Sequence, residues 1–438
     1  MASPETRNIV IIGGGIIGCT TAYYISRHPS FSPSTTVTIL EASAKGVAQG
    51  ASGKAGGLVA KWAYPQEIVD VSFQEGASGK AGGLVAKWAY PQEIVDVSFQ
   101  ERPKHVKLAE EHNGTDRWGW RFVGCGSWEG RGQLSGESGT GVGQGGKRKS
   151  LEKTLGLGTS NQEDKPSRKS KGLPNDLTWV REDLTDSYRS MAPANDTAQV
   201  HPYLFTTSML DLAKERGVQL TLGTATGIDR LGDKVTGVTY YPSEPNPQAA
   251  VSIPATDVIV CAGAWSSRIV PKLPISATRA HSITIRPPPS ITIAPYVLFT
   301  EIALSSSGNK SVSPEIYARP DNEVYACGPG DDSSLPLNVD DVVVDQEACE
   351  SIKQHVSSIS QELQDGVVEK RQACFLPIVT TGGGPIIGAM GPGVFVATGH
   401  TCWGICNAPG TGKVMAELVM SGQISSAKVK SLDPARFL

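Results

Sequence analysis

The 438 residues suffice for roughly two to three domains at about 150 residues each. A net charge of −3, from 40 basic and 43 acidic side chains, gives no basic field for nucleic acid and excludes it as an expected partner. No run of eighteen or more apolar residues offers a transmembrane helix, and eight scattered cysteines, without metal-ligand pairing, fit a reduced cytoplasmic compartment and no metal centre.

The first apolar segment, Ile9 to Cys19, is interrupted by glycines and carries neither a basic leader nor a cleavage site, so a soluble, unsecreted chain is expected. Within it, Gly13, Gly15 and Gly18 complete a GxGxxG run between a buried-type strand and a helical stretch over Thr20 to Ser26. Each glycine has its task. Gly13 lets the strand turn sharply, Gly15 admits a pyrophosphate to the backbone, and Gly18 lets helix and strand pack closely. The positive end of the helix then faces phosphate. Glu41 ends a second apolar run, Val37 to Leu40, where a carboxylate accepts hydrogen bonds from both hydroxyls of an adenosine ribose and repels a 2′-phosphate. A dinucleotide other than NADP is predicted.

Residues 50–75 recur without a change at 76–101. Two units are too few for a solenoid, so one copy is read as an insertion. The first copy, on a short tether to Glu41, is expected to dock Ser52 to Leu58 against the cofactor while the second bulges outward. Gly141-Val-Gly-Gln-Gly-Gly-Lys147 mimics both GxGxxG and a P-loop, but no strand precedes it and Arg148 replaces the magnesium-binding hydroxyl. The surrounding 135–174 stretch has almost no apolar side chains and is expected to be a disordered surface insertion.

Helical spacing over Tyr203 to Arg216, stopped by Gly217, precedes strand-like runs at Val218 to Leu222, Val235 to Tyr241 and Asp257 to Cys261. The last leads into Ala262-Gly-Ala-Trp-Ser266, a break that brings backbone to a cofactor. From His281 to Cys327 the texture is β-rich, with runs at His281 to Arg286, Tyr296 to Glu301, Glu315 to Arg319 and Glu323 to Cys327, which marks a second domain. A strand over Val394 to Thr398, a glycine-bounded turn and a helix from Pro409 to Met420, ended by Gly422, return to the first domain. Such a helix terminus would stabilise the anionic edge of a reduced flavin.

Ile9 to Gly18 with Glu41, Gly50 to Gly57, Val260 to Trp265 and Gly399 to Gly412, in this order, resemble the FAD-dependent oxidoreductases of the D-amino-acid oxidase, glycine oxidase and sarcosine oxidase superfamily. The likeness is closest to its poorly characterised eukaryotic branch. It implies an α/β chain, α+β overall: a split Rossmann-like FAD-binding domain and a second β-rich substrate domain roofing the isoalloxazine. The expected segments are 6–125 and 195–275 for FAD, 276–375 for substrate, and 376–438 completing the FAD site. Beyond the glycines and Glu41, the resemblance implies that Ile16, Ile17, Ala42, Ser52, Gly56, Gly57, Leu58, Ala262, Gly263, Trp265, Trp403, Gly404 and Ile405 hold FAD.

The implied reaction is hydride transfer from a C–H beside an amine nitrogen to flavin N5, with oxygen as acceptor. Two arginines clamp the substrate carboxylate in the glycine-oxidase pattern. Here the matching positions are Cys402 and the Leu376-Pro377 step. Tyr317, Arg319, Cys402 and Trp403 are the catalytic candidates, and Arg371 and His281 further replacement contacts. Cys374 is a candidate for covalent attachment to the flavin, as in the sarcosine-oxidase branch, or a buried structural cysteine. The substrate is then a secondary amine or modified amino acid; a flavin-binding, non-catalytic interaction protein is the other reading.

Overall fold

The computed structural model describes residues 6–60, 104–133, 171–193, 196–243, 249–304, 310–427 and 429–438. The second repeat copy, residues 61–75 of the first, and the 141–147 glycine cluster lie outside them. The strands begin with β1 (Arg7–Ile12), β2 (Thr35–Glu41), β3 (Leu58–Ala60), β4 (Arg121–Phe122), β5 (Gly124–Gly132), β6 (Thr185–Ser190) and β7 (Thr197–Gln199). There follow β8 (Gln219–Leu231), β9 (Lys234–Pro242), β10 (Val251–Pro254), β11 (Asp257–Val260), β12 (Ile275–Arg286) and β13 (Tyr296–Leu304). The last are β14 (Lys310–Val312), β15 (Glu315–Ala318), β16 (Val324–Cys327), β17 (Val367–Val379), β18 (Ile386–Gly391) and β19 (Val394–Thr398). The α-helices are α1 (Ile16–Ile25), α2 (Lys104–Glu111), α3 (Gly114–Trp118), α4 (Pro202–Lys214), α5 (Ser266–Ile269), α6 (Gln346–Ser357), α7 (Gln361–Gln364) and α8 (Gly404–Ser421).

One sheet runs β10-β9-β8-β2-β1-β11-β19-β18. Its middle, from β8 to β19, is parallel, and the flanking pairs are antiparallel. Parallel strands covered on both faces need apolar residues at every position. Ile9 and Ile11 of β1 accordingly join the cluster under α1, while Val10 and Ile12 join the opposite one with Val258 and Val396. The chain leaves β1 for β2 on one side and meets β11 on the other, so the strand order reverses there and opens a crevice at the carboxyl ends. Helix α8 lies so close to α1 that a side chain at Gly412 would meet the Thr20 backbone at 2.8 Å.

The second sheet runs β17-β12-β16-β15-β13-β5-β6, with β14 on β13. Trp128, Leu298, Ile352 and Val356 bury one face of it beneath α6. The other face looks into the crevice. Strands β5 and β6 join this sheet from outside the 276–375 span. The glycines of β5 make room for rings: a Cβ at Gly124 would stand 2.2 Å from the Tyr296 ring, and one at Gly126 2.3 Å from Tyr188. A small third sheet, β3-β7-β4, completes the fold. No helix among the described residues is long and apolar enough to cross a membrane.

The C-terminal helix corrects one expectation. It starts at Gly404, not Pro409, and carries Pro409 inside. Proline there supplies no N–H to the preceding turn. Buried His105 takes up that deficit, its Nε2 standing 3.0 Å from the Cys406 carbonyl with the Ile405 carbonyl also engaged.

Candidate active site

A continuous cavity occupies the crevice and extends to the open face of the second sheet. Four neighbouring strand ends, β2, β1, β11 and β19, deliver its first wall: Glu41, the Gly13–Gly15 turn, the Ala262–Trp265 turn, and the Gly399–Gly404 turn respectively. Gly13 has φ +113°, and any Cβ would lie 2.4 Å from the Cys261 carbonyl oxygen. Only glycine fits this passage between β1 and β11. Glu41 is held rather than free to swing: Oε2 accepts from Gly14 N at 2.6 Å and Oε1 from Ser43 N at 2.8 Å. Burial pushes its carboxyl above the ordinary range, against those two N–H groups.

The described start of copy one, between Gly50 and Leu58, forms the next part of the wall. Ser52 Oγ accepts from Ile16 N at 2.9 Å, tying this loop to the first turn of α1. Gly57, at φ +88°, passes so near Val200 that a Cβ would lie 2.0 Å from its carbonyl oxygen. The loop then crosses the second sheet. Lys54 Nζ donates to the Ala373 carbonyl on β17 at 3.0 Å, and Arg319 beyond β15 donates to the Ala55 carbonyl.

On the sheet face itself, alternation along the strands selects what enters the cavity. Glu315 and Tyr317 stand two apart on β15; Phe299 and Cys327 pair with Glu315 across β13 and β16, and Tyr325 pairs with Tyr317. All five line the cavity, as do Ala280, Cys374 and Leu376 from β12 and β17. Tyr317 Oη donates to Glu315 Oε2 at 2.6 Å, and Cys327 Sγ lies 3.7 Å from the same oxygen. Burial raises the Glu315 carboxyl, and burial with the adjacent Glu315 charge raises Tyr317.

Of the sequence-predicted residues, Gly13, Gly15, Ile16, Ile17, Glu41, Ala42, Ser52, Gly56, Gly57, Leu58, Ala262, Gly263, Trp265, Tyr317, Cys374, Cys402, Trp403, Gly404 and Ile405 all line this cavity. Gly18 does not: its place is in packing, with a Cβ there 2.0 Å from the Gly13 carbonyl oxygen. Arg319 does not either. It is buried in an ion pair with Glu323 at 2.8 Å and lies over the Tyr325 ring at 4.7 Å. Arg371 stands on the far side of β17 from Cys374 and reaches Glu350 at 3.7 Å. His281 is also outside, its Nε2 accepting from Asp345 N at 3.0 Å. Cys374 therefore has Lys54, not Arg371, as its neighbouring cation, and burial pushes its thiol up to about 11.

Sequence reasoning missed three parts of the site. Glu315 was read only as the start of a strand, although its spacing of two from Tyr317 puts both on one face. Lys54 was passed over within the repeat. Residues 337–339 were not noticed at all; Asn338 donates to the Ala42 carbonyl at 3.1 Å and closes the Glu41 end. The Asn338-x-x-Asp341 capping box was the available signal.

A family model described as FAD dependent oxidoreductase matches residues 8–418. The chain belongs to that family. TDA3 of Saccharomyces cerevisiae, a provisionally named oxidoreductase, is 35% identical over 532 aligned residues, covering 99% of this chain and 95% of the relative. Glycine oxidase from Geobacillus kaustophilus superposes with a TM-score of 0.64 at 16% identity, covering 99% of this chain and all of that one. Iminodiacetate oxidase from Chelativorans sp. BNC1 gives 0.61 at 18%, covering 97% and 98%. These structures share the fold. FAD is the cofactor of the family, and the residues here fit it: a glycine passage that no Cβ could enter, the start of α1 at Gly15 without a side-chain cap, a fixed carboxylate, and the first turn of α8 without a side-chain cap.

Proposed function

We propose that this FAD-dependent oxidoreductase oxidises the C–N bond of an amine or modified amino acid, passing electrons to oxygen. The observation that carries the reading is the join between the glycine crevice and the aromatic chamber on the second sheet, within a single cavity. Neighbours named for oxidation of glycine and iminodiacetate support the substrate class. When bound, the flavin supplies the hydride acceptor and the route to oxygen.

The chain's own residues supply position and charge. Glu41, pre-oriented by Gly14 and Ser43, accepts the ribose hydroxyls. Gly13, Gly15 and the start of α1 receive the pyrophosphate. Ser52 to Leu58, Ala262 to Trp265 and Trp403 to Ile405 enclose the ring system, and the positive end of α8 favours negative charge on it. Tyr317, Phe299 and Leu376 exclude water from the reacting carbon. His400, which burial pushes down to about 3, stays neutral within the Gly399–Gly404 turn.

No arginine stands at 376 or 402, and Arg268, which lines the cavity near its Ala42 end, is already bound to the carbonyls of Leu335 and Leu337. That absence also supports the second reading, a flavin-binding protein without turnover. Peroxide release and anaerobic bleaching of the purified, flavin-loaded protein, screened across amines and N-methyl amino acids, tests both. Bleaching by a secondary amine is expected. A yellow protein that no amine bleaches would favour the second reading.

A further inference from the structure

The chamber beyond the flavin crevice has the wrong charge for a carboxylate. Its wall on β13, β15 and β16 holds three rings, Phe299, Tyr317 and Tyr325, packed edge to face: centroids are 6.5 Å apart for Phe299 and Tyr317, and 5.5 Å for Tyr317 and Tyr325. Among them stands one carboxylate, Glu315. Both its described hydrogen bonds come to Oε2, from Tyr317 and Cys327. Oε1 has no protein partner among the described residues, and no described cation forms an ion pair with this side chain.

An enclosed carboxylate normally has a cation or is costly to bury. Here the cations that line the cavity are elsewhere, and Arg319, outside it over the Tyr325 ring, is paired with Glu323. Lys54 is spent on the Ala373 carbonyl of β17, with β12 and β16 intervening before β15. Arg268 sits with Leu335 and Leu337 near the Ala42 end. The missing counter-charge is therefore that of the ligand. Rings beside an acid are also the chemistry that recognises alkylated ammonium groups, because the negative face of each ring adds to the carboxylate's attraction.

Resting on the amine-oxidising reading above, we propose that Glu315 with Phe299, Tyr317 and Tyr325 forms a subsite for the protonated nitrogen of an alkyl- or arylalkylamine. This subsite selects amine cations over amino-acid carboxylates. Oε1 takes an ammonium N–H, the rings surround its carbon substituents, and Tyr317 keeps Oε2 aligned. A ligand bearing only a carboxylate brings no cation to hold Glu315 in its charged form, which burial disfavours, and is rejected.

Calorimetric titration of the flavin-loaded protein with three matched probes decides the matter. The first, 2-phenylpropan-2-amine, has no hydrogen on the carbon bearing nitrogen and is not consumed; 2-phenylpropan-2-ol is its neutral counterpart and benzoate the anion. The amine is expected to bind at least about tenfold more tightly than either, the scale of one charge-assisted hydrogen bond. Glu315→Gln should remove that advantage and leave the alcohol unchanged, and Glu315→Asp should restore part of it. Benzoate binding as tightly as the amine in the wild type, or an unchanged amine affinity in Glu315→Gln, overturns the subsite. If Glu315→Gln fails to fold, the wild-type ranking alone decides. Visible absorbance is recorded first, so a protein without flavin refutes the functional reading rather than this one, and an amine ligand without any amine turnover leaves the subsite standing.

Discussion

Arg319 is the residue whose assignment changes most between sequence and structure, and replacing it with methionine distinguishes the two. Its guanidinium and the Glu323 carboxylate are 2% and 7% exposed at 2.8 Å separation, and a second nitrogen reaches the Ala55 carbonyl. Removing one partner of a buried pair leaves an uncompensated charge, at a cost of about 3–5 kcal/mol. Unfolding entropy of roughly 2.1 cal/mol/K per residue gives about 0.9 kcal/mol/K for this chain, so the melting point should fall about 3–5 °C. Burial works to raise the Glu323 pKa, but the charge and hydrogen bond of Arg319 prevail and hold it below the usual value. A depressed carboxyl contributes stability above its unfolded pKa and loses it as pH falls through the folded one. The deficit of the variant should thus be full at pH 7.5 and shrink on acidification, as Glu323, or His201 at 3.9 Å from it, takes a proton. Circular dichroism melts across pH read this directly. Replacing both partners, Arg319→Met with Glu323→Leu, should recover most of the loss. A single variant that melts with the wild type yet loses amine turnover would return Arg319 to the reacting centre.

Three further outcomes are expected. Glu41→Gln should weaken FAD binding, and wild-type affinity should begin to fall on acidification above the ordinary Glu pKa of 4.5, because burial first and then Asp340 raise this carboxyl; a flat wild-type profile would contradict it. Gly57→Ala should strip flavin from the purified protein whereas Gly83→Ala and deletion of 76–101 should not, and the opposite ranking by visible absorbance would place copy two in the site. Acid precipitation should release flavin into the supernatant, since burial holds the Cys374 thiol at about 11 and leaves little thiolate despite Lys54; flavin retained in the pellet and freed by Cys374→Ser would show a covalent bond.

The crevice was legible because its residues are constrained locally. A glycine at 13 or a carboxylate at 41 is required by backbone geometry and by the ligand, so the chemistry shows in the order of residues. The aromatic chamber was only half legible. Tyr317 was found by its strand, but Glu315 becomes a site residue only when β13 and β16 place Phe299 and Cys327 beside it, and that pairing joins positions far apart in sequence. Arg319 and His281 misled for the same reason: their strands do line the cavity, but Glu323 and Asp345, set by tertiary packing, claim their polar atoms. Helix α6 and strand β5 were missed because cap and glycine signals there are ambiguous without the rings and side chains they accommodate.

The order β2-β1-β11-β19 means that neighbouring walls of one crevice are synthesised far apart in time. While a ribosome is still translating the second sheet, the emerging polypeptide presents Gly13 and Glu41 but neither β19 nor the α8 terminus. A crevice with all four walls therefore requires α8 to have docked on α1 through Gly412 and Thr20, and flavin capture is expected to be late. Cellular flavin supply would then act on that last step of maturation, by stabilising the completed crevice through mass action.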